Sequence, residues 1–246
     1  MFDPLRNIAA RCTCALLGLA LAILVAPVSA SQQGPLDDPA RPAEDRARDA
    51  GSKPLEVFAW LGVSPGSTVA DLFPGGGYNS HVLAHMVDPG GRVHSVGTGA
   101  DGEKQLGERF AAAGLDNVEI HQSLAAVSDA SIDICVVVRN VHDMLIPEVA
   151  DQYSMQPDPI FAELRRSLKP GGILGVIDSR MPGEGIDSDT HRVSEALVIA
   201  EIEARGFELV DRSELLANPG DDLAQPYWDS RFSMDRMLLK FRKVAS

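Results

Sequence analysis

Val69-Ala70-Asp71-Leu72-Phe73-Pro74-Gly75-Gly76-Gly77 is the segment of this 246-residue chain that predicts its fold most directly. An apolar run ends in an acid, three glycines follow, and an amphipathic helix is predicted to start near Tyr78. Glycines at such a turn let a ligand approach the backbone closely, and the helix N-terminus favours a carboxylate or a phosphate. A tight turn without a ligand is the alternative, but three consecutive glycines lose more backbone entropy than a turn requires. The sequence therefore predicts a ligand-binding loop.

Outward from this loop, the chain alternates helical and extended segments. Three x-Pro-Gly-x turns mark the changes: Ser64-Pro65-Gly66-Ser67, Asp88-Pro89-Gly90-Gly91 and Lys169-Pro170-Gly171-Gly172. Proline presets φ at the second position of each turn, and glycine supplies a positive φ at the third. Strands joined by helical crossovers run parallel, which gives an open sheet covered on both faces. The apolar run Ile132–Val138 is predicted to be a central strand of that sheet.

The end of the chain predicts a change of strand direction. After Asp178 we expect a helix over about 191–205, a strand over 207–210 and a last strand over 237–242. The segment between the last two strands is too short for a helical crossover of ordinary length. The predicted fold class is thus α/β: a Rossmann-like, mostly parallel sheet with helices on both faces and an antiparallel C-terminal strand.

The first thirty residues indicate a signal peptide. Arg6 and Arg11 give a basic start, residues 14–26 form an apolar run, and Val28-Ser29-Ala30 offers small residues at a cleavage site. An uncleaved anchor is the alternative, but the run is shorter than the ~20 residues that a bilayer span needs. We expect a periplasmic or secreted protein without stable membrane insertion after cleavage. The expected divisions are a signal peptide (1–30), a linker or loosely held N-terminal arm (31–50) and one domain (51–246).

Charge and cysteine content narrow the partners. The net charge is −13, and it becomes −14 without residues 1–30, which contain two arginines and one aspartate. Nucleic-acid binding calls for a basic face, and the sequence has no cluster of lysine and arginine, so a small-molecule substrate is expected instead. Cys135 lies inside the predicted central strand and is expected to be a buried hydrophobe.

A nicotinamide cofactor is disfavoured by two positions. A dinucleotide loop follows the pattern G-x-G-x-x-G, and Ser80 stands where the third glycine belongs. Such folds also carry an acid near the end of the second strand, where this chain has Gly97. An oxidoreductase therefore ranks third among the candidate functions.

The glycine loop and the turn Leu168-Lys169-Pro170-Gly171-Gly172 resemble motifs of the class I S-adenosylmethionine-dependent methyltransferases. The similarity extends over about residues 53–243. More closely, residues 71–78, Asn140-Val141-His142-Asp143 and residues 191–207 resemble a bacterial group of predicted methyltransferases that bear signal peptides.

This resemblance implies S-adenosylmethionine as the cofactor, with its methionine end at Asp71, Gly75 and Gly77. Phe73 replaces the first glycine of the family's D-x-G-x-G-x-G motif, and Gly97 replaces the acid that binds the ribose hydroxyls. No metal site is expected. The implied cofactor-binding positions are Asp71, Phe73, Gly75, Gly76, Gly77, Gly97 and Ser123.

Polar residues at strand ends supply the candidate catalytic set, because ligands of an open parallel sheet bind beyond the carboxyl ends of its strands. Methyl transfer requires alignment of the acceptor and, for a protic acceptor, removal of one proton. His142 is the predicted base, since a histidine titrates near neutral pH; a helix cap or a polar niche is its alternative role. Asp143 is expected to orient it, while Asn140 and Asp178 position the acceptor.

Two further residues belong to this hypothesis. His191 and Arg192 are expected to open the helix over 191–205 and to reach the same crevice. The leading hypothesis is a methyltransferase acting on a small molecule outside the cytoplasm. The second is an exported binding protein that uses the loop for a nucleoside-like or anionic ligand without methyl transfer.

The signal peptide leads to a direct prediction. The mature protein should begin at Ser31, because Val28-Ser29-Ala30 directly follows the apolar run. Intact-mass measurement of protein recovered outside the cytoplasm checks this. A mass that retains residues 1–30 would establish an uncleaved anchor.

Overall fold

The computed structural model describes residues 34–226, 228 and 233–244. The predicted signal peptide and its cleavage site lie outside the described residues. Among the helices described, none combines the length and the apolar character that crossing a membrane requires. Within these ranges the helices are α1 (Ala43–Ser52), α2 (Pro54–Leu61), α3 (Tyr78–Val87), α4 (Ala100–Ala113), α5 (Val141–Leu145), α6 (Pro147–Tyr153), α7 (Pro157–Ser167) and α8 (Glu195–Glu203).

One seven-stranded sheet forms the centre of the molecule, and a short hairpin forms a separate two-stranded sheet. The strands are β1 (Thr68–Leu72), β2 (Arg92–Val96), β3 (Val118–His121), β4 (Ile132–Val138), β5 (Leu168–Ser179), β6 (Ile186–Asp187), β7 (Arg192–Val193), β8 (Phe207–Ser213) and β9 (Arg236–Lys243). The sheet order is β3-β2-β1-β4-β5-β9-β8, and β6 pairs with β7 in the hairpin.

The strand order reverses between β1 and β4, and the sheet ends in an antiparallel pair. Strands β1 to β5 pair in parallel, whereas β9 runs antiparallel to both β5 and β8. The predicted Rossmann-like sheet with an antiparallel C-terminal strand is therefore confirmed. In such sheets the ligand crevice lies beyond the carboxyl ends of the strands at the reversal point.

Strand β4 explains why the sheet is covered on both faces. Successive side chains of a strand point to opposite faces. Cys135 and Val137 join the hydrophobic core on one face, and Ile134 and Val136 join the core on the other. Cys135 is fully buried, as predicted, and burial raises the pKa of its thiol.

The three Pro-Gly turns have the expected backbone. The glycine at the third position has φ of +86° in Gly66, +84° in Gly90 and +73° in Gly171. The third turn differs in one respect, because it is a bulge within β5 and does not precede that strand. Leu168 already pairs with Ile132 of β4, and the regular register resumes only at Ile173.

The segment expected to be a linker or a loosely held arm is packed against the domain over its described residues. Both Asp38 and Arg41 are buried. Asp38 Oδ2 accepts hydrogen bonds from the Nε2 atoms of His81 (2.8 Å) and His85 (3.0 Å) of α3. Arg41 donates two hydrogen bonds to the carboxylate of Asp49 in α1. Residues 34–50 are thus held by buried polar contacts that a sequence rich in proline and charge did not reveal.

The helix expected to start at His191 begins four residues later. Ser194 caps α8, and its Oγ accepts a hydrogen bond from the backbone N–H of Leu197. Residues 192–193 form β7 instead, because they pair with Ile186–Asp187. The predicted position of His191 and Arg192 on a helix was therefore wrong.

Gly175 of β5 yields a stability prediction. A Cβ atom there would lie 2.5 and 2.7 Å from the two methyl carbons of Leu61, whose side chain is fully buried. We expect Gly175→Ala to reduce the free energy of unfolding by about 1–3 kcal/mol, the usual cost of overpacking.

Gly107, in the interior of α4, is the matched control. An added Cβ there meets only one methyl carbon, at 3.9 Å. Gly107→Ala should raise the free energy of unfolding by about 0.5–1 kcal/mol, because alanine loses less backbone entropy in a helix. Urea denaturation measures both variants, and equal effects of the two would contradict this packing.

Candidate active site

The three glycines after β1 have different environments. Gly75 and Gly77 both have positive φ, +54° and +82°. A Cβ at Gly77 would lie 2.6 Å from Leu106 Cδ2, so this glycine is required for packing against α4. A Cβ at Gly75 or Gly76 would have no atom within 4 Å. The first two glycines therefore face open space, and Gly75 lines the large crevice beside the loop.

Asp71 lies beneath the loop and does not line the crevice. It is 1% exposed, and its Oδ2 accepts a hydrogen bond from Ser80 Oγ (2.7 Å), which in turn lies 2.9 Å from Ser95 Oγ. Burial raises the pKa of Asp71 to about 6, although the hydrogen bond from Ser80 lowers it. Its other oxygen, Oδ1, is buried without a hydrogen-bond partner among the described residues. Asp71 thus joins β1 to α3 and retains one acceptor oxygen under the loop.

Two cavities open beyond the carboxyl ends of the strands. The larger, of about 800 Å³, lies between the glycine loop and the segment that follows β4. The smaller, of about 270 Å³, contains Gln122 and Ser123 after β3. Phe73 and Gly97 line both cavities. The predicted cofactor-binding positions other than Asp71, Gly76 and Gly77 therefore surround these two spaces.

Phe73 and Gly97, the two departures from the family motif, form one contact. Phe73 has a positive φ of +59°, which is uncommon for a residue with a side chain. Its ring lies against Gly97, where a Cβ would be 2.7 Å from Phe73 Cδ1. Gly97 also has a positive φ, +92°. An acid at position 97 would thus collide with the ring, so the two substitutions depend on each other.

A polar wall faces the loop across the larger cavity. It consists of Asn140 and Asp143, which follow β4, and His191, which precedes β7. His191 Nδ1 donates a hydrogen bond to Asp143 Oδ1 (2.9 Å). The ring of Trp228 packs edge-on against His191, with 5.2 Å between ring centroids. Asn140, Asp143 and His191 therefore reach the crevice.

His142 lies behind this wall. Its side chain is fully buried, with Nδ1 2.6 Å from Asp178 Oδ1 and Nε2 3.1 Å from Asp143 Oδ1. Its backbone N–H also donates a hydrogen bond to Asp178 Oδ2 (3.0 Å). Burial lowers the pKa of His142, but the charges and hydrogen bonds of Asp178 and Asp143 outweigh it and raise this pKa to about 9. Burial raises the pKa of Asp143, and its contacts with His142 and His191 bring it below the usual value.

These positions correct three of the predicted contacts. His142 and Asp178 are fully buried and do not line the crevice, so neither touches an acceptor bound there. A proton taken directly from an acceptor by His142, and an acceptor held by Asp178, are both excluded by this geometry. Arg192 is buried as well, with its guanidinium bound to the carboxylate of Asp221 (2.8 and 3.1 Å). Asp178 holds the ring of His142, and His142 in turn contacts Asp143 at the edge of the crevice.

Several crevice residues were missed from the sequence. Gln152, Tyr153 and Met155 come from α6 and the residues after it, and Trp228 comes from the segment before β9. The one sequence signal that would have pointed to Trp228 is a tryptophan in a loop of mostly polar residues. The α6 region carries no motif that distinguishes it from an ordinary surface helix.

No protein-family model matches this chain. A SAM-dependent methyltransferase from Aquifex aeolicus is 21% identical with a TM-score of 0.63, and the match covers 80% of this chain and 93% of that one. Geranyl diphosphate methyltransferase in complex with SAM is 16% identical, with a TM-score of 0.57 and coverage of 85% and 94%. The [4+2]-cyclase SpnF is 17% identical, with a TM-score of 0.57 and coverage of 83% and 82%.

These similarities show that the chain has the fold of the class I methyltransferases. At such identities they show the fold alone, and the same fold serves a cyclase as well as methyltransferases. The more specific resemblance to a bacterial group with signal peptides stays a prediction.

The contact between Phe73 and Gly97 is testable by a double-mutant cycle. Gly97→Ala should destabilise the protein for two reasons. The new Cβ collides with the Phe73 ring, and an alanine at this position has to adopt a positive φ. In the Phe73→Ala background the collision disappears and only the backbone strain remains. We expect a coupling free energy of about 0.5–3 kcal/mol between the two changes, measured by urea denaturation of the four proteins. Strictly additive effects would mean that the ring does not rest on Gly97.

Proposed function

We propose that this protein binds S-adenosylmethionine in the crevice and methylates a small molecule outside the cytoplasm. The observation that carries the proposal is the open glycine loop at the point where the strand order reverses. This loop faces a polar wall across a cavity of about 800 Å³. Ligand cavities are typically about 300–1,000 Å³ in volume, so this cavity is large enough for one cofactor and a small acceptor.

The residues present fit the methionine end of this cofactor. Gly75 and Gly76 leave the loop backbone accessible, since a Cβ at either position would meet only open space. Asp71 Oδ1 is a buried acceptor without a partner among the described residues, directly beneath that loop. Gly75, which lines the cavity, would therefore contact the methionine end; Asp71 and Gly77, which the resemblance also implies, do not line it and would support the loop.

The nucleoside end would be held differently from the family pattern. Phe73 and Gly97 offer an apolar ring and bare backbone where the family has an acid for the ribose hydroxyls. Polar atoms are supplied further out by Gln122 and Ser123 in the smaller cavity. Binding of the nucleoside therefore depends on stacking and on that second cavity.

When bound, the cofactor supplies a methyl group on a sulfonium. The protein's own task is alignment, because an in-line displacement depends on the orientation of the acceptor. Asn140, Asp143 and His191 provide hydrogen-bond partners on the wall opposite the loop. Tyr153 and Trp228 give the same cavity an aromatic side. An acceptor with both a protic group and an apolar body fits this lining.

The competing proposal is a binding protein for a nucleoside-like or anionic ligand that performs no methyl transfer. The observation that favours it is the Phe73–Gly97 contact, which removes the ribose-binding acid from the crevice. Native mass spectrometry of protein purified from its own compartment distinguishes the two, since it identifies the ligand that the protein carries.

Cofactor binding leads to a calorimetric prediction. Wild-type protein should bind S-adenosylmethionine or S-adenosylhomocysteine, and Gly75→Val should abolish the binding heat, because a branched side chain enters the space where loop backbone and ligand meet. Gly90→Val is the matched control: Gly90 also has a positive φ and open surroundings, but it lies in the turn before β2 and not in either cavity.

Gly90→Val should therefore bind as the wild type does, although it carries a similar backbone strain. Absence of heat from wild-type protein at millimolar ligand would refute the methyltransferase proposal and favour the binding protein. Equal loss of binding in both variants would show that strain, and not the loop contact, is responsible.

A further inference from the structure

Three metal-ligating side chains meet at the polar wall. His142 Nε2 lies 3.1 Å from Asp143 Oδ1, and His191 Nδ1 lies 2.9 Å from the same oxygen. One ligand atom from each of the three residues falls within 4.8 Å of the others. They come from two distant parts of the chain, the residues after β4 and the residue before β7.

We propose that His142, Asp143 and His191 bind a divalent transition-metal ion, such as zinc, iron(II) or cobalt(II), at the wall of the crevice. Two imidazoles and one carboxylate form a donor set that suits these ions better than it suits magnesium or calcium, which favour oxygen ligands. The site goes beyond the proposed methyl transfer, and none of its residues belongs to the predicted cofactor loop.

Asp178 supports the site from behind. A metal-ligating histidine almost always donates its second ring N–H to a carboxylate or a carbonyl, which fixes the ring and its tautomer. His142 Nδ1 lies 2.6 Å from Asp178 Oδ1, and Asp178 is fully buried. This contact directs Nε2 of the same ring toward Asp143 and His191.

The site is also open on one side. Asp143 and His191 line the large cavity, whereas His142 is buried behind them. Catalytic metal sites combine three protein ligands with a position left to water or substrate. A metal ion held here would therefore have its remaining positions directed into the cavity that faces the glycine loop.

Two other clusters of two histidines and a carboxylate lack these features. In the cluster Asp38, His81 and His85, the Nδ1 atom of His81 is buried with no partner among the described residues, and all three side chains are closed off from solvent. In the cluster His94, Glu119 and His121, the carboxylate already pairs with Arg92. In neither cluster do the described contacts place a carboxylate behind a histidine ring.

A metal ion at this wall would specify the acceptor, and this step rests on the proposed function. A bound divalent ion lowers the pKa of a hydroxyl that coordinates it, so that the proton leaves to solvent, and it orients the oxygen. This chemistry favours a small hydroxyl-bearing acceptor. It also accounts for proton removal in a crevice where the buried His142 cannot act as the base.

Tryptophan fluorescence provides a local test. The ring of Trp228 lies 5.2 Å from that of His191, and the chain has one other tryptophan, Trp60, which contacts Lys240. The Trp60→Phe variant of the intact protein, stripped of metal by a chelator, is titrated with cobalt(II) alone. We expect saturable quenching at one equivalent, because cobalt(II) quenches a nearby indole, and recovery when diamagnetic zinc displaces it.

Three further changes, each made in that variant, locate the site. His191→Ala should abolish the saturable quenching. Asp178→Asn should weaken cobalt affinity by about 10–100-fold at unchanged stoichiometry, the usual effect of removing an outer-shell partner. His121→Ala, in the other cluster, is the control and should leave the titration unchanged. Circular dichroism verifies that each variant is folded.

The proposal is overturned if the Trp60→Phe variant, in which the wall is unchanged, shows no saturable quenching. It is also overturned if the further change His191→Ala leaves the quenching in place. Loss of quenching in His121→Ala would assign the metal to the other cluster and would equally overturn it. No S-adenosylmethionine is present in this titration. Cofactor binding is measured separately, by calorimetry. Saturable cobalt quenching together with no calorimetric binding of S-adenosylmethionine would refute the proposed methyl transfer and leave the metal site intact, whereas calorimetric binding without saturable quenching would overturn the metal site alone.

Discussion

Asp178 is a fully buried carboxylate, and the organisation of the crevice wall depends on how it is satisfied. Removing a carboxylate from water is costly unless hydrogen bonds and opposite charge compensate. The carboxylate of Asp178 accepts three hydrogen bonds. The donors are the ring Nδ1 of His142, the backbone N–H of the same residue and the backbone N–H of Ser179. Since His142 follows β4 and Asp178 lies near the end of β5, these bonds fix two neighbouring strand ends together. The positions of Asn140 and Asp143, which flank His142, follow from that.

The second half of the wall is held by a different buried charge. Arg192 is fully buried, and the carboxylate of Asp221 together with two backbone carbonyl groups, those of Arg180 and Gln225, binds its guanidinium. Leaving either member of such a pair alone would be strongly destabilising, so the segment before β7 has little freedom. His191, the preceding residue, has a positive φ of +52°, and its ring meets Asp143. Arg192 thus anchors the segment in the interior, and its neighbour His191 reaches the crevice.

Local sequence patterns predicted what is local in the structure. The bounds of β4 and the start of α3 follow from a short apolar run and from the glycine loop. The arm before α1 could not be predicted, because Asp38 holds it through His81 and His85 of α3, which lie 43 and 47 positions further along the chain. His191 was predicted to face the crevice for the wrong reason, since the hairpin pairing of β6 and β7 overrides its helical pattern. The Asp178 contact joins residues 36 positions apart, and no spacing rule reveals it.

The charges that the two proposals place in the crevice constrain the acceptor further. A sulfonium at the glycine loop and a divalent cation at the opposite wall would both be positive, and the lower dielectric inside a crevice strengthens their repulsion. The acidic protein, with a net charge of −13, offsets this only over long range. Asp143, as a ligand of the proposed ion in the polar wall, already neutralises part of the metal charge. An acceptor that carries negative charge when bound, such as a deprotonated hydroxyl, completes the balance, whereas a neutral or cationic amine does not.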